Sequence, residues 1–157
     1  MLQVDIRELR KGPVETAAVL DPADPVLADL GLTFEGPVTV TGVLSGALER
    51  RTFRWTGRVA GWVLGECRRC LAPVKVPVDT EVMVVFSPDP DAADDPGVYP
   101  IREPLAEIDL TPAVREELLL TASPFVLCRE ECAGLCQRCG ADLNSGPCDC
   151  ARPAEPA

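Results

Sequence analysis

The sequence predicts an α+β fold: a mainly antiparallel β-sheet or partial barrel, one substantial helix, and a cysteine-rich C-terminal segment stiffened by metal. Three observations predict it. Valine-rich runs with apolar–polar alternation recur between residues 37 and 86. A single helical pattern follows at about 111–122, and six of the eight cysteines crowd into residues 128–150.

The elements follow in chain order. LQVDIREL (2–9) alternates apolar and polar residues, as a half-buried strand does. Residues 11–31 hold Pro13, Pro22, Pro25 and several aspartates, and read as an irregular connection with a helical turn around 25–30. PVTVTGVLSGALER (37–50) and TFRWTGRVAGWVLGEC (52–67) read as two long strands. Val38, Val40, Phe53, Trp55, Val59 and Leu64 are their apolar set, and their glycines mark bulges or bends. VKVPVDTEVMVVF (74–86) is a third β-run, with Val74, Val76 and Val78 in register and Pro77 placing it at an edge or a bulge. SPDPDAADDPGVYPIREP (87–104) is too polar and too rich in proline for anything but a loop. Thr111 is expected to cap the helix, with Pro112 in its first turn and AVREELLLTA carrying it to about Ala122. The expected organisation is one domain over residues 1–150: a β-rich core to 125, a knuckle segment over 126–150 packed on it, and a disordered tail over 151–157.

At 157 residues the chain can build a hydrophobic core without covalent staples, although aromatics make up only 4% of it. No apolar run is long enough to cross a bilayer, and the N-terminus lacks the apolar stretch of a secretory signal, so a cytoplasmic location is expected. In that reducing compartment closely spaced cysteines favour metal over disulfides. Histidine is absent, which removes Ser-His-Asp and Cys-His catalysis and His-ligated hydrolytic zinc. No phosphate-binding glycine loop occurs either, and enzyme activity and a small-molecule substrate are not expected.

The cysteines form four close pairs: Cys67 and Cys70, Cys128 and Cys132, Cys136 and Cys139, Cys148 and Cys150. Two sulfurs on one tight turn reach one ion, and two such turns complete a tetrahedron, the arrangement of a closed structural zinc site. The favoured partition is a local site of Cys136, Cys139, Cys148 and Cys150, closed at low loop entropy, and a clasp of Cys67, Cys70, Cys128 and Cys132. A second partition, Cys128 with Cys132, Cys136 and Cys139, is sterically open. A structural zinc contributes on the order of 10 kcal/mol to folding, and residues 136–150 have almost no apolar content of their own. Iron–sulfur ligation uses the same ligands, but the spacings do not reproduce ferredoxin runs. Thiol redox chemistry or zinc handling at CRRC or CQRC is the alternative function, although CRRC follows a strand and does not open a helix. Cys67 and Cys70 also read as a reduced, buried thiol pair.

Net charge is −10, which disfavours a general nucleic-acid binder. Residues 50–75 nevertheless sum to +6, leaving −16 elsewhere. Arg50, Arg51, Arg54 and Arg58 flank Trp55 in a pattern suited to single-stranded RNA, cations on phosphate and a ring on a base. The competing reading puts Phe53 and Trp55 in the core and leaves the arginines solvated. Arg68, Arg69, Arg129 and Arg138 stand beside cysteines, where guanidinium groups offset thiolate charge.

CRRCL (67–71), EIDLTPAVREELLLTASP (107–124) and LCREECAGLCQRCGADLNSGPCDC (127–150) together resemble the bacterial YceD family of large ribosomal RNA subunit accumulation proteins. The resemblance spans roughly residues 35–150. It implies a non-enzymatic cytoplasmic factor needed for synthesis or accumulation of 23S ribosomal RNA, with a plastid relative in plants. Ribosomal RNA or pre-ribosomal proteins are the partners it implies, since members are often encoded beside a large-subunit ribosomal protein. Some members keep the first CxxC and the Cys128/Cys132 region and lack the last two pairs, which supports the clasp-plus-local-site partition.

Overall fold

The computed structural model describes residues 2–47, 51–89, 94–101, 104–122 and 125–151. Five strands form the body of a sheet in the order β2 (Val14–Leu20), β4 (Val38–Ala47), β5 (Thr52–Glu66), β6 (Pro73–Ser87), β7 (Val98–Pro100), with β3 (Thr33–Phe34) pairing the far end of β5. β1 (Gln3–Asp5) and β8 (Glu107–Asp109) form a separate antiparallel pair. Among the described residues β2 and β7 do not pair with each other, so the sheet is not closed, and the strand pairing gives the partial barrel no support. The β6–β7 pairing is parallel, Val85 opposite Val98, so the sheet is not antiparallel throughout.

Three local expectations are corrected. Within residues 2–9 the strand stops at Asp5, whose carboxylate accepts from the Arg7 N–H and caps the short helix α1 (Ile6–Leu9). The reason is spacing: after Leu2 and Val4 the next fully buried residue is Leu9, which only a helical turn brings to the same side. Residues 14–20, read as irregular, are strand β2, with Thr16 and Leu20 buried and Glu15, Ala17 and Val19 outward. Residues 98–100, inside the expected loop, are strand β7. The turn around 25–30 is a single 3-10 turn, Pro25–Leu27, capped by Asp24.

The helix α2 (Thr111–Thr121) lies where its pattern placed it, but Thr111 is not its cap. Leu110 holds that position without a side-chain bond, and the Asp109 carboxylate accepts from the Thr111 N–H at 2.9 Å. Ala113, Val114 and Leu118 bury one face of α2 on the sheet. The Thr80 hydroxyl donates to Glu117 at 2.9 Å, and Arg115 donates to the Val26 and Ala28 carbonyls, fastening the 3-10 turn to the helix.

Odd-numbered residues of β5 face α2: Phe53, Trp55, Val59 and Val63 are buried. Leu64, expected inward, is even-numbered and 43% exposed on the opposite face. The strand glycines are not bulges, since β4 and β5 pair residue for residue through the Gly42–Gly57 step. They make room for the Trp55 indole: a Cβ on Gly57 would lie 2.4 Å from the ring, and one on Gly42 2.7 Å from its nitrogen. The indole lies over this gap and donates to the Thr16 hydroxyl of β2 at 2.9 Å, so its one polar atom is satisfied inside the core. Pro77 sits in the part of β6 that pairs only with β5, where a missing N–H leaves no ladder bond unmade.

Candidate metal centres

β5 ends at Glu66 and delivers Cys67 into a tight turn. The Leu71 N–H donates to the Cys67 carbonyl at 2.8 Å, the Cys67 N–H to the Ala72 carbonyl at 2.8 Å, and the Arg69 N–H to Cys67 Sγ at 3.5 Å. The same three bonds recur around Cys136: Gly140 N–H to the Cys136 carbonyl, Cys136 N–H to the Ala141 carbonyl, each 2.8 Å, and Arg138 N–H to Cys136 Sγ at 3.4 Å. Each turn closes on a left-handed residue, Leu71 at φ 59° and Gly140 at φ 73°. The chain therefore builds one knuckle twice, once at the end of a long strand and once in a segment without regular structure.

The eight sulfurs gather into two groups, Cys67 with Cys70, Cys128 and Cys132, and Cys136 with Cys139, Cys148 and Cys150. Within each group the sulfurs all lie within 4.8 Å of one another. Cys67 and Cys132 sulfurs are 3.8 Å apart, and Cys70 and Cys128 sulfurs 3.6 Å apart. A tetrahedron with metal–sulfur arms of about 2.3 Å has edges of about 3.8 Å, so the donor set fits a single ion. All eight cysteines are free. The grouping is the clasp-plus-local-site partition; the second partition is not the one formed. It ties the end of β5 to the segment that follows α2, helped by the Arg68 N–H donating to the Val126 carbonyl at 3.0 Å.

Backbone dipoles sort the thiols. Burial pushes the Cys67 thiol up, but N–H bonds from Cys128, Arg69 and Cys70 outweigh it and bring the group down to about 6. Cys136 falls to about 6 under the N–H groups of Cys139 and Arg138. Cys128, sharing its hydrogen with Cys70, is pushed up to about 12, and Cys150, beside Cys139, likewise to about 12. Each group thus sets lowered thiols against raised ones: Cys67 and Cys132 against Cys70 and Cys128 in the clasp, and Cys136 against Cys148 and Cys150 in the local group.

The clasp has a contributor that the cysteine spacing does not reveal. Asn144, in the loop between Cys139 and Cys148, donates from Nδ2 to Cys132 Sγ at 3.4 Å and accepts from the Ala133 N–H at 2.8 Å. This amide is the largest influence holding the Cys132 thiol below its ordinary value. On the other side, Arg69 donates to the Cys132 carbonyl at 2.9 Å, and the Leu135 N–H to the Arg69 carbonyl at 3.1 Å. Arg69 is thereby a structural strut, its guanidinium committed to backbone carbonyls of the second cysteine pair's segment. Arg68, Arg129 and Arg138 are exposed.

The arginine-rich stretch is dispersed by the strand. Arg50 lies outside the described residues, and Arg51 occupies the turn before β5 at φ 52°. Arg54 and Arg58 project from the outer face of the sheet, where Arg58 donates from Nε and Nη2 to the two oxygens of the Asp79 carboxylate. Trp55, proposed as a stacking ring, is fully buried and unavailable to a base; the core reading of Phe53 and Trp55 is the observed one. The tryptophan that does reach the outer face is Trp62, 43% exposed, with the Lys75 ammonium 4.8 Å from its ring centroid. Strand parity was the signal: Trp62 is even-numbered where the core set is odd.

Fold and site define a small β-rich protein with two four-sulfur candidate metal centres. The chain belongs to the family described as large ribosomal RNA subunit accumulation protein YceD, which it matches over residues 55–156. Uncharacterised proteins of Mycobacterium bovis and Mycobacterium tuberculosis are 32% identical to it over 125 residues, 78% of this chain and 57% of theirs. The chain therefore spans little more than half the length of these curated relatives. The large ribosomal RNA subunit accumulation protein YCED homolog 1, chloroplastic, of Arabidopsis thaliana is 39% identical over 46 residues, 29% of this chain and 14% of that one. No solved structure matches the chain. No described helix is long and apolar enough to cross a membrane.

Proposed function

We propose that this protein is a non-enzymatic factor supporting accumulation of large-subunit (23S) ribosomal RNA, acting in the cytoplasm as one folding unit over residues 1–150 whose C-terminal end is held by two structural zinc ions. The observation that carries the reading is the family match across both four-sulfur groups. Cys67, Cys70, Cys128 and Cys132 would hold one ion, and Cys136, Cys139, Cys148 and Cys150 the other. Zinc supplies no reaction here; it crosslinks chain segments that lack a core. Sulfurs within 4.8 Å leave room for one ion and none for a cluster of several irons. Neither knuckle opens a helix, which disfavours the redox or zinc-handling alternative.

The partner is ribosomal RNA or a pre-ribosomal protein. The protein version is favoured by the net charge of −10, by the burial of Trp55 and by the neutralisation of Arg58 by Asp79. The outer sheet face also exposes Met83 and Val43 near Arg54, with Trp62 further along β5, a composition suited to a protein partner. The test is to deplete the protein, quantify 23S rRNA, and measure binding of the purified protein to large-subunit RNA fragments over a salt series. Direct RNA contact predicts affinity that falls steeply with salt and with Arg50, Arg51, Arg54 and Arg58 changed to Ala. The favoured version predicts no such loss, and unchanged 23S rRNA on depletion would overturn the assignment itself.

A further inference from the structure

The two sulfur groups are not independent in space. The chain from Cys132 to Cys136 leaves one group and enters the other, and it is gripped from both sides. The Leu135 N–H donates to the Arg69 carbonyl of the first knuckle at 3.1 Å, and the Leu143 N–H donates to the Gly134 carbonyl at 2.9 Å. Gly134 makes the contact possible: it is left-handed at φ 76°, and a Cβ there would stand 3.0 Å from the Arg69 carbonyl oxygen. Leu143 and Asn144 sit on a loop whose two ends are Cys139 and Cys148, both members of the local group.

Asn144 is fixed in every direction. Asp142 Oδ1 accepts from its backbone N–H at 2.9 Å and from its Nδ2 at 2.7 Å. Its own Oδ1 is committed to the Ala133 N–H at 2.8 Å, which assigns the amide nitrogen to the side facing Cys132 Sγ. No buried apolar side chain lies beyond Cys132 among the described residues. With no apolar packing beneath it, the loop is held by these hydrogen bonds and by the four sulfurs at its ends, and the sulfurs are its only link to a metal.

We propose that Asn144 is a positioning residue that couples the two metal centres: filling the local site sets the loop, and the loop delivers an N–H···S bond to the clasp, raising its grip on metal. The coupling rests on the two-site zinc reading and is reciprocal, so a filled clasp also favours the local site. An outer hydrogen bond of this kind shifts metal affinity by about 10-fold or more.

The experiment is cobalt(II) titration of the metal-free full-length protein against a competing chelator, reading the sulfur-to-cobalt charge-transfer band. Wild type is compared with Asn144→Ala, Asn144→Asp, Cys136→Ser/Cys139→Ser, the triple variant, and Cys67→Ser/Cys70→Ser with and without Asn144→Ala. Asn144→Asp keeps the acceptor for Ala133 and removes the donor to sulfur. Expected are about 10-fold weaker binding at the clasp in both single variants, and a clasp band at lower energy because its sulfur has lost a hydrogen bond. A merely structural asparagine would not move that band. Loss of the local site should weaken the clasp comparably, with no further loss on adding Asn144→Ala. With the clasp ablated, Asn144→Ala should leave the local site unchanged. Clasp affinity and band unaltered in Asn144→Ala, or effects that add in the triple variant, would overturn the coupling while leaving two sites standing. Fewer than two cobalt equivalents in wild type would overturn both.

Discussion

The two ends of this chain are held by different physics. From β1 to α2 the molecule is an apolar core, with Val38, Val40, Leu44, Phe53, Trp55, Val59, Val114 and Leu118 without accessible surface. After Leu118 the only buried hydrophobic side chain among the described residues is Cys132. Burial at about 25 cal/mol per Å² stabilises the first region continuously, many side chains each contributing a little. The second region has no such reserve. Its order rests on hydrogen-bonded turns that aim sulfurs at two points; on the two-ion proposal, removing an ion should release it at once, where removing one methyl group from the core only weakens the fold.

Stripping the metal should accordingly have the largest effect, and a local one. With chelator, amides of residues 126–151 should lose nearly all protection from hydrogen exchange while those of β4, β5 and β6 keep theirs. Protection that survives complete metal removal would show that sulfur ligation is not what orders this end. Protection lost together across β5 and residues 126–151 would show that the comparison draws its boundary in the wrong place, with the core depending on the clasp.

In the core, the largest single loss is expected at Trp55. Trp55→Ala should destabilise the metal-loaded protein by about 3–5 kcal/mol, since it leaves a cavity over two glycines that present no side chain to fill it. Gly57→Ala attacks the same packing from below. Its new Cβ meets the Trp55 ring at 2.4 Å and the Thr41 carbonyl oxygen at 2.6 Å, and overpacking of this kind costs about 1–3 kcal/mol. Urea denaturation of both variants, with metal content measured in parallel, separates the regions: stability should fall while two equivalents of metal remain bound.

What the sequence made legible divides along the same line. The sulfur partition was readable because ligand spacing and loop entropy are local quantities, and the knuckle at Cys136 declares itself in five residues. The long strands were readable because β4, β5 and β6 pair as neighbours. β2 was not: VETAAVL buries only Thr16 and Leu20 fully, and its strand identity comes from pairing with β4, which no local pattern encodes. β7 and β8 are three residues each, too short for a pattern; β7 pairs parallel with the end of β6 across a proline-rich connection, and β8 with β1 at the far end of the chain. Asn144 was invisible for a different reason. An outer-sphere donor follows no ligand spacing, and its relation to Cys132 exists only once both turns are built. Trp55 and Trp62 could not be told apart by composition, only by counting parity along β5.

The smallest effect lies in the difference between the two knuckles themselves. They share their hydrogen bonds, yet the left-handed position is leucine in one and glycine in the other. Leu71 is 60% exposed at φ 59°, so it carries backbone strain with little burial to offset it. A left-handed residue with a side chain costs about 1–2 kcal/mol, and glycine returns part of that through its greater unfolded-state entropy. Leu71→Gly should therefore stabilise the metal-loaded protein slightly, by about 0.5–1 kcal/mol. Gly140→Ala should do the reverse by a similar amount, because a Cβ there meets no atom within 4 Å and only the backbone strain is felt. Thermal unfolding of the two variants, each with two metals bound, decides the matter. A Leu71→Gly protein that melts below wild type would mean that the leucine side chain contributes a contact outweighing its strain, and the two knuckles would then be alike in hydrogen bonding but not in what each adds to the fold.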